Sequence, residues 1–275
     1  MRARLPMVAI GMLAIAACGG SNVKDDGPPG SARIPDLPGD AVPRPEARSK
    51  YGNGPVYEVL GKRYTVMPSS SGYQERGVAS WYGKKFHGNL TSNREVYDMY
   101  AMTAAHKTLP LPTYVRVRNL SNNKSIVVRV NDRGPFVHNR IIDLSYAGAM
   151  KLDMIKDGTS LVEVTAINFD EPRGDRPVRV SSPPAPPGPT AAQPAVSANR
   201  IYVQVGAFGE RANAERRLRD LARAGIGDAF IHEERSTDRV LYRVRIGPVA
   251  GVVQFDLIVD ELEAVGINDP YLISE

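Results

Sequence analysis

Glu95, Asp98, His106 and Asp132 lie on polar stretches between runs that read as strands. Rigid strands that present polar loops are where binding and catalytic groups concentrate. Two carboxylates with an imidazole can move protons at a sugar: one group protonates a leaving oxygen while a second steadies the positive charge that develops. Each residue also has a plainer reading. Asp132 precedes Arg133-Gly134-Pro135 and would serve as the side chain of an Asx turn. Glu95 would be an exposed loop acid, and His106 a structural imidazole ahead of Lys107-Thr108-Leu109-Pro110. Asp143, in Ile141-Ile142-Asp143-Leu144-Ser145, is a further carboxylate, whose plainer reading is capping of a helix start. His87, His106 and His138 lack the spacing of metal ligands, so neither a metal nor a cofactor is expected.

The elements that must position these groups are short. Residues 78–82, 114–119, 125–130 and 161–167 have the β-branched and alternating character of strands, and Asn122-Asn123 supplies a hairpin turn between the second and third. One helix is expected over residues 145–152. Many short strands with so little helix suggest a small closed barrel. Trp81 and Tyr82 alternate along the first strand, so one faces the core and the other a groove. Tyr82 is the candidate for stacking on a sugar, with core packing as its alternative.

Residues 200–275 read β-α-β-β-α-β. The strands fall at 201–205, 229–232, 240–246 and 270–273, and the helices at 211–224 and 252–264, stopped by Gly225 and Gly266. Alternation puts Ile201, Val203, Val205, Tyr242, Val244 and Ile246 against the helices. Tyr202, Gln204, Leu241, Arg243 and Arg245 then line the sheet's other face. Such a sheet could read RNA, but this segment holds 10 bases against 13 acids, so nucleic acid is not an expected partner.

Between and before these domains composition changes. Residues 19–49 are rich in proline and glycine and read as a tether, and 171–199 as a Pro-rich spacer. Ahead of them, Arg2 and Arg4 precede an apolar run from 7 to 17 that ends at Cys18, the single cysteine. A run this short marks a secretory signal, not a membrane span. The expected boundaries are 1–17 signal, 18–76 tether and lead-in, 77–170 barrel, 171–199 linker and 200–275 sheet domain.

Three resemblances sharpen the reading. Ile15-Ala16-Ala17-Cys18 resembles the bacterial lipobox, which implies cleavage before Cys18 and its acylation, and so a membrane anchor on the periplasmic side. Gly20 rather than Asp follows two residues after the first mature one, Cys18 itself, which implies the outer membrane. Ser80-Trp81-Tyr82-Gly83, Phe86-His87-Gly88, Asn93-Arg94-Glu95-Val96-Tyr97-Asp98, Thr103-Ala104-Ala105-His106 and Asn131-Asp132-Arg133-Gly134-Pro135-Phe136 together resemble the rare lipoprotein A family. That resemblance implies an all-β double-psi barrel that cleaves peptidoglycan glycan strands as a lytic transglycosylase. It carries function onto Glu95, His106 and Asp132, with Asp132 as acid–base, Glu95 as charge stabiliser or the reverse, and His106 holding a carboxylate or touching sugar. Asp143 is similar to the aspartate that expansin and endoglucanase barrels place before an Asp-Leu-Ser helix start, which implies a competing candidate for the catalytic acid. A non-catalytic expansin-like binding barrel and a structural cell-wall lipoprotein are the alternative readings of the whole. The family carries glycine where this chain has Arg94, so a positive φ there would strain arginine.

Val203-Gln204-Val205-Gly206-Ala207-Phe208 and Tyr242-Arg243-Val244-Arg245-Ile246-Gly247-Pro248 resemble the SPOR module, which implies an α+β domain that binds peptide-free (denuded) glycan at the division septum. Gln204 and Arg243 are then candidate glycan contacts, and division proteins candidate partners. Residues 77–170 hold 12 bases against 8 acids, a balance that would favour glycan with free lactyl carboxylates.

Overall fold

A computed structural model describes residues 28, 36–137, 139–169, 200–236, 239–268 and 270–275. Cys18, the signal segment and the spacer 171–199 lie outside the described residues.

After a small antiparallel hairpin, β1 (Val56–Val59) with β2 (Lys62–Thr65), the chain enters a closed barrel. Its strands are β3 (Gln74–Tyr82), β4 (Thr103–His106), β5 (Thr113–Asn119), β6 (Ser125–Asp132), β7 (Arg140–Ser145) and β8 (Ser160–Ala166), closing in the order β3-β7-β4-β6-β5-β8. β3 with β7 and β4 with β6 run parallel, and the other neighbours antiparallel. Val115, Val117, Val128, Val130, Ile142, Leu144, Val162 and Val164 fill the core. Alternate residues of a strand point to opposite sides, so Val115 and Val117 are buried while Arg116 is exposed. Burial of each such side chain contributes about 1.5–3 kcal/mol.

β7 runs directly into α1 (Tyr146–Lys151). Ser145 caps that helix, its Oγ accepting from Gly148 N at 3.2 Å, so Asp143 is not the capping group. Asn123 takes φ 60° in the β5–β6 turn, as the hairpin requires. Arg94 takes φ 70°, the left-handed conformation that favours glycine. Its guanidinium lies 4.7 Å from the Tyr51 ring centroid, a contact glycine could not make and one that offsets the strain.

Residues 36–53, which run from the expected tether into the lead-in, form neither helix nor strand but are bound to the barrel. Ala41 N donates to Val127 O at 3.0 Å and Ser49 N to Leu111 O at 2.8 Å. Asn53 exchanges hydrogen bonds with both backbone groups of Leu111, at 2.7 and 2.8 Å. The segment attaches through polar bonds, which a hydrophobic pattern does not reveal.

The second domain comprises β9 (Ile201–Phe208), α2 (Arg211–Arg223), β10 (Ala229–Arg235), β11 (Val240–Ile246), α3 (Val252–Ala264) and β12 (Tyr271–Ser274), with an antiparallel sheet ordered β10-β11-β9-β12. Ile201, Val203, Val205, Val244 and Ile246 join the helices' Leu221, Phe255, Val259 and Leu262 in one core. Tyr271, Gln204, Arg245 and Phe230 form a row across the strands by register. This face is not the open polar surface that alternation predicts. Tyr202 packs edge-on to Phe230, and Tyr202, Gln204 and Arg245 are all buried.

Candidate active site

β6 brings two sets of polar groups to one end of the barrel. Arg129 and Asn131 share one face of the strand, by its two-residue period, and both reach Glu95. Arg129 Nη1 donates to Glu95 Oε2 at 2.7 Å and Asn131 Nδ2 to the same oxygen at 2.8 Å. Asn93 Nδ2 donates to Glu95 Oε1 at 2.9 Å. The loop carrying Glu95 is itself tied, with Thr91 N bonded to Glu95 O at 2.8 Å and Arg94 N to Thr91 O at 2.9 Å. Burial resists ionisation of Glu95, but the bonds from Arg129, Asn131 and Asn93 outweigh it and hold the carboxyl below its usual range. Glu95 is therefore a fixed anion with 41% of its side chain exposed, suited to steady a cation but not to deliver a proton.

Asp132, on the other face of β6, is held differently. Its Oδ1 accepts from Ser92 N at 2.8 Å, Ser92 Oγ at 2.6 Å and Arg133 N at 2.7 Å. Among the described residues its Oδ2 takes no hydrogen bond. The carboxylate is thus oriented through one oxygen while the other remains for a ligand. The bond to Arg133 N goes to the next residue and not two residues on, so it is not the expected Asx turn, and the two Ser92 bonds add an anchor from the neighbouring loop.

Ala105 stands between two carboxylates. Its register partner in β6 is Asp132 and in β7 is Asp143, so their Cα atoms are two strand spacings apart, about 10 Å. Asp143 accepts from Ser80 Oγ, its neighbour in β3, and Arg140 Nη1 donates to the same hydroxyl at 2.9 Å. Asp132 and Asp143 thus flank Ala105, and Ser92, which holds Asp132, belongs to the loop that carries Glu95.

Three expected contacts are placed elsewhere. The His106 ring bonds neither carboxylate. Its Nδ1 accepts from Thr108 N at 3.2 Å and Leu109 N at 3.0 Å, so Nε2 carries the hydrogen and bonds the Tyr73 hydroxyl at 2.7 Å. Burial, reinforced by Arg133 and Lys107, lowers its pKa to about 3. His106 is a neutral imidazole that closes the turn after β4. Tyr82 lies in the floor and is not presented to a groove: its ring stacks on Tyr97 with centroids 4.1 Å apart, among Met99, Ala105 and Tyr146. Trp81, half-buried, is the more open of the two aromatics. Gln204 is buried and its amide is used on the Tyr271 hydroxyl, since that ring sits opposite it in β12. Arg243 keeps partial exposure in an ion pair with Glu234.

Ser92, Arg129 and Asn131 are functional neighbours that motif reading passed over. Arg129 and Asn131 had a signal, since Arg129 interrupts the apolar run 126–130 and Asn131 follows it at spacing two. Ser92 had none, because its role depends on a loop folding back onto β6.

The family described as lytic transglycolase matches residues 74–164, and the SPOR domain family matches residues 197–273. The endolytic peptidoglycan transglycosylase RlpA of Pseudomonas aeruginosa strain UCBPP-PA14 is 37% identical over 88% of this chain and 81% of its own length. The Vibrio cholerae protein of the same name is 48% identical over 63% and 67% respectively. Among solved structures, the SPOR domain of RlpA from Pseudomonas aeruginosa is 27% identical, covering 26% of this chain and 96% of that one with a TM-score of 0.25.

Proposed function

This chain belongs to the family of endolytic peptidoglycan transglycosylases named RlpA, and from that premise we propose which groups cut the glycan and where in the cell they do so. It is a lytic transglycosylase with a double-psi barrel followed by a SPOR domain. Asp132 is the acid–base. The observation that carries this is the division of labour between its oxygens: Oδ1 is anchored by three donors, and Oδ2 is left to hold and pass the proton.

In the first half-reaction Asp132 Oδ2 gives its proton to the oxygen bridging N-acetylmuramic acid and N-acetylglucosamine as that bond breaks. The oxocarbenium-like sugar faces the fixed negative charge of Glu95. In the second, the Asp132 carboxylate takes the proton of the muramyl 6-hydroxyl, whose oxygen closes on the anomeric carbon. The proton is returned to where it began, no water enters, and the product ends in a 1,6-anhydro ring. Asp143, bonded to Ser80 across Ala105, supports a second assignment in which it is the acid.

Three finer readings belong to the same proposal. The surplus of bases over residues 77–170 favours strands stripped of peptides, whose lactyl groups are free anions. The sheet domain binds that glycan at the septum, with the partly exposed Arg243, now paired with Glu234, as a candidate contact. Acylated Cys18 anchors the chain to the periplasmic face of the outer membrane. The lipobox-like residues before Cys18 and Gly20 after it support that placement.

Purified full chain incubated with amidase-treated sacculi should release fragments with 1,6-anhydro ends by mass spectrometry. Asp132→Asn should cost a factor of about 10² to 10⁴ in turnover, the usual worth of general acid–base help. Full loss in Asp143→Asn with Asp132→Asn near wild type would transfer the role to Asp143. Reducing ends would mean hydrolysis, and no product at all a binding module. Removal of residues 200–275 should disperse a fluorescent fusion from division sites, and Cys18→Ser should abolish labelling by a palmitate analogue.

A further inference from the structure

Arg129 is shared between two carboxylates. While Nη1 donates to Glu95, its Nε and Nη2 grip Glu46 Oε1 and Oε2 at 3.1 and 2.7 Å, a two-pronged contact of the strong kind. Glu46 belongs to no barrel strand. It lies in the Pro-rich lead-in, well ahead of residue 74 where the lytic transglycolase match begins. Even so, it is the better buried of Arg129's two partners, with 20% of its side chain exposed against 41% for Glu95. Tyr114 of β5 donates to Glu46 Oε1 at 2.5 Å, and Arg44 Nε to the same atom at 3.2 Å.

We propose that Glu46 is a positioning residue for glycan cleavage: it holds Arg129 in place and keeps that cation from neutralising Glu95. The inference rests on the reading of Glu95 as the charge that steadies the cationic sugar. Glu46, Arg129 and Glu95 together carry one surplus negative charge, which Arg44 answers only from the exposed side of Glu46, and the half of the cluster open to substrate is the Glu95 half. Without Glu46, Arg129 and Glu95 form a neutral pair. The freed Nε–Nη2 edge can also turn onto Glu95 and draw it out of register with Asp132. The charged and titratable groups facing this cluster are Arg44 from the lead-in and Tyr114 from β5, with the amides of Asn93 and Asn131 on Glu95. The Arg129 hydrogen bond pulls the Glu46 pKa to about 2 against the effect of burial, so Glu46 is charged at neutral pH.

Steady-state kinetics of the full chain on amidase-stripped glycan strands test this. Glu46→Gln, which keeps the shape and removes the charge, should lower kcat roughly 10-fold while KM stays within about 2-fold, because the lost interaction is felt in the transition state. In a Glu95→Gln background the same change should have no further effect. Glu46→Asp keeps the charge but is one methylene short of the two-pronged contact, and should fall between wild type and Glu46→Gln. It also serves as the test if Glu46→Gln does not fold. Unchanged kcat in Glu46→Gln, an equal loss with or without Glu95, a rise in KM alone, or Glu46→Asp no better than Glu46→Gln would each overturn the proposal. If Glu95→Gln itself turns over like wild type, the reading of Glu95 fails first. If Glu95→Gln is impaired and Glu46→Gln is not, the role of Glu46 alone is refuted.

Discussion

At the scale of single residues, the buried groups set how the protein responds to acid. His106 has its pKa lowered from 6.5 to about 3, so an unfolded chain binds a proton there well before the folded one does. Stability from this group is complete above about 6.5 and is lost as pH falls through the window down to about 3. Glu46, lowered from 4.5 to about 2, behaves alike in a lower window: its contribution is full above about 4.5 and is lost as pH falls towards 2. Thermal midpoints measured from pH 7 downward should therefore fall in two overlapping stages, flattened at the upper stage by His106→Gln and at the lower by Glu46→Gln. A constant midpoint in wild type between pH 6.5 and 4.5 would contradict the neutral His106. The same ring shows what spacing alone cannot tell. A histidine beside two acids in sequence suggests proton transfer, yet its role was decided by Tyr73, Thr108 and Leu109, whose hydrogen bonds claim both nitrogens.

Among the elements, the lead-in is the part most worth perturbing. Asn53 joins it to the barrel through Leu111, and Arg133 joins the same junction by Nη2 to Asn53 at 3.2 Å and Nε to Gly52 O at 2.8 Å. Asn53→Ala leaves the Leu111 backbone groups without those partners, which costs about 1–3 kcal/mol. It should lower the thermal midpoint and speed hydrogen exchange at the Leu111 amide, and exchange at the wild-type rate would show that another group holds the junction. The strands at 78–82, 114–119, 125–130 and 161–167 were legible because alternation and β-branching mark them, and they lie within or overlap β3, β5, β6 and β8. β4 was not. Its four residues, Thr103 to His106, are nearly all buried and show no alternation to read. All six elements of the second domain were legible from helix stops and strand alternation. The occupancy of its second face was not, since it depends on which residues of β12 and β10 come opposite β9 and β11.

For the whole molecule, charge divides the chain: residues 77–170 carry more bases than acids and 200–275 more acids than bases. Attraction of an anionic strand to the first part should weaken as salt shortens the range of these charges, about 10 Å at 0.1 M. KM for stripped glycan should rise with added NaCl while kcat holds. A KM that ignores salt would leave the preference for stripped strands without its electrostatic basis. One further consequence concerns force. Lys151 Nζ holds Pro38 O at 3.0 Å and Asp40 Oδ1 at 2.6 Å, while Asp40 Oδ2 and Ala41 N clasp the two backbone groups of Val127. These bonds lie on the chain between residue 36 and Glu46, so tension applied from the N-terminal side loads them first and together. They act as a cleat on a line: if Cys18 is anchored as proposed, a pull from that end meets this fastening before it reaches Glu95 and Asp132.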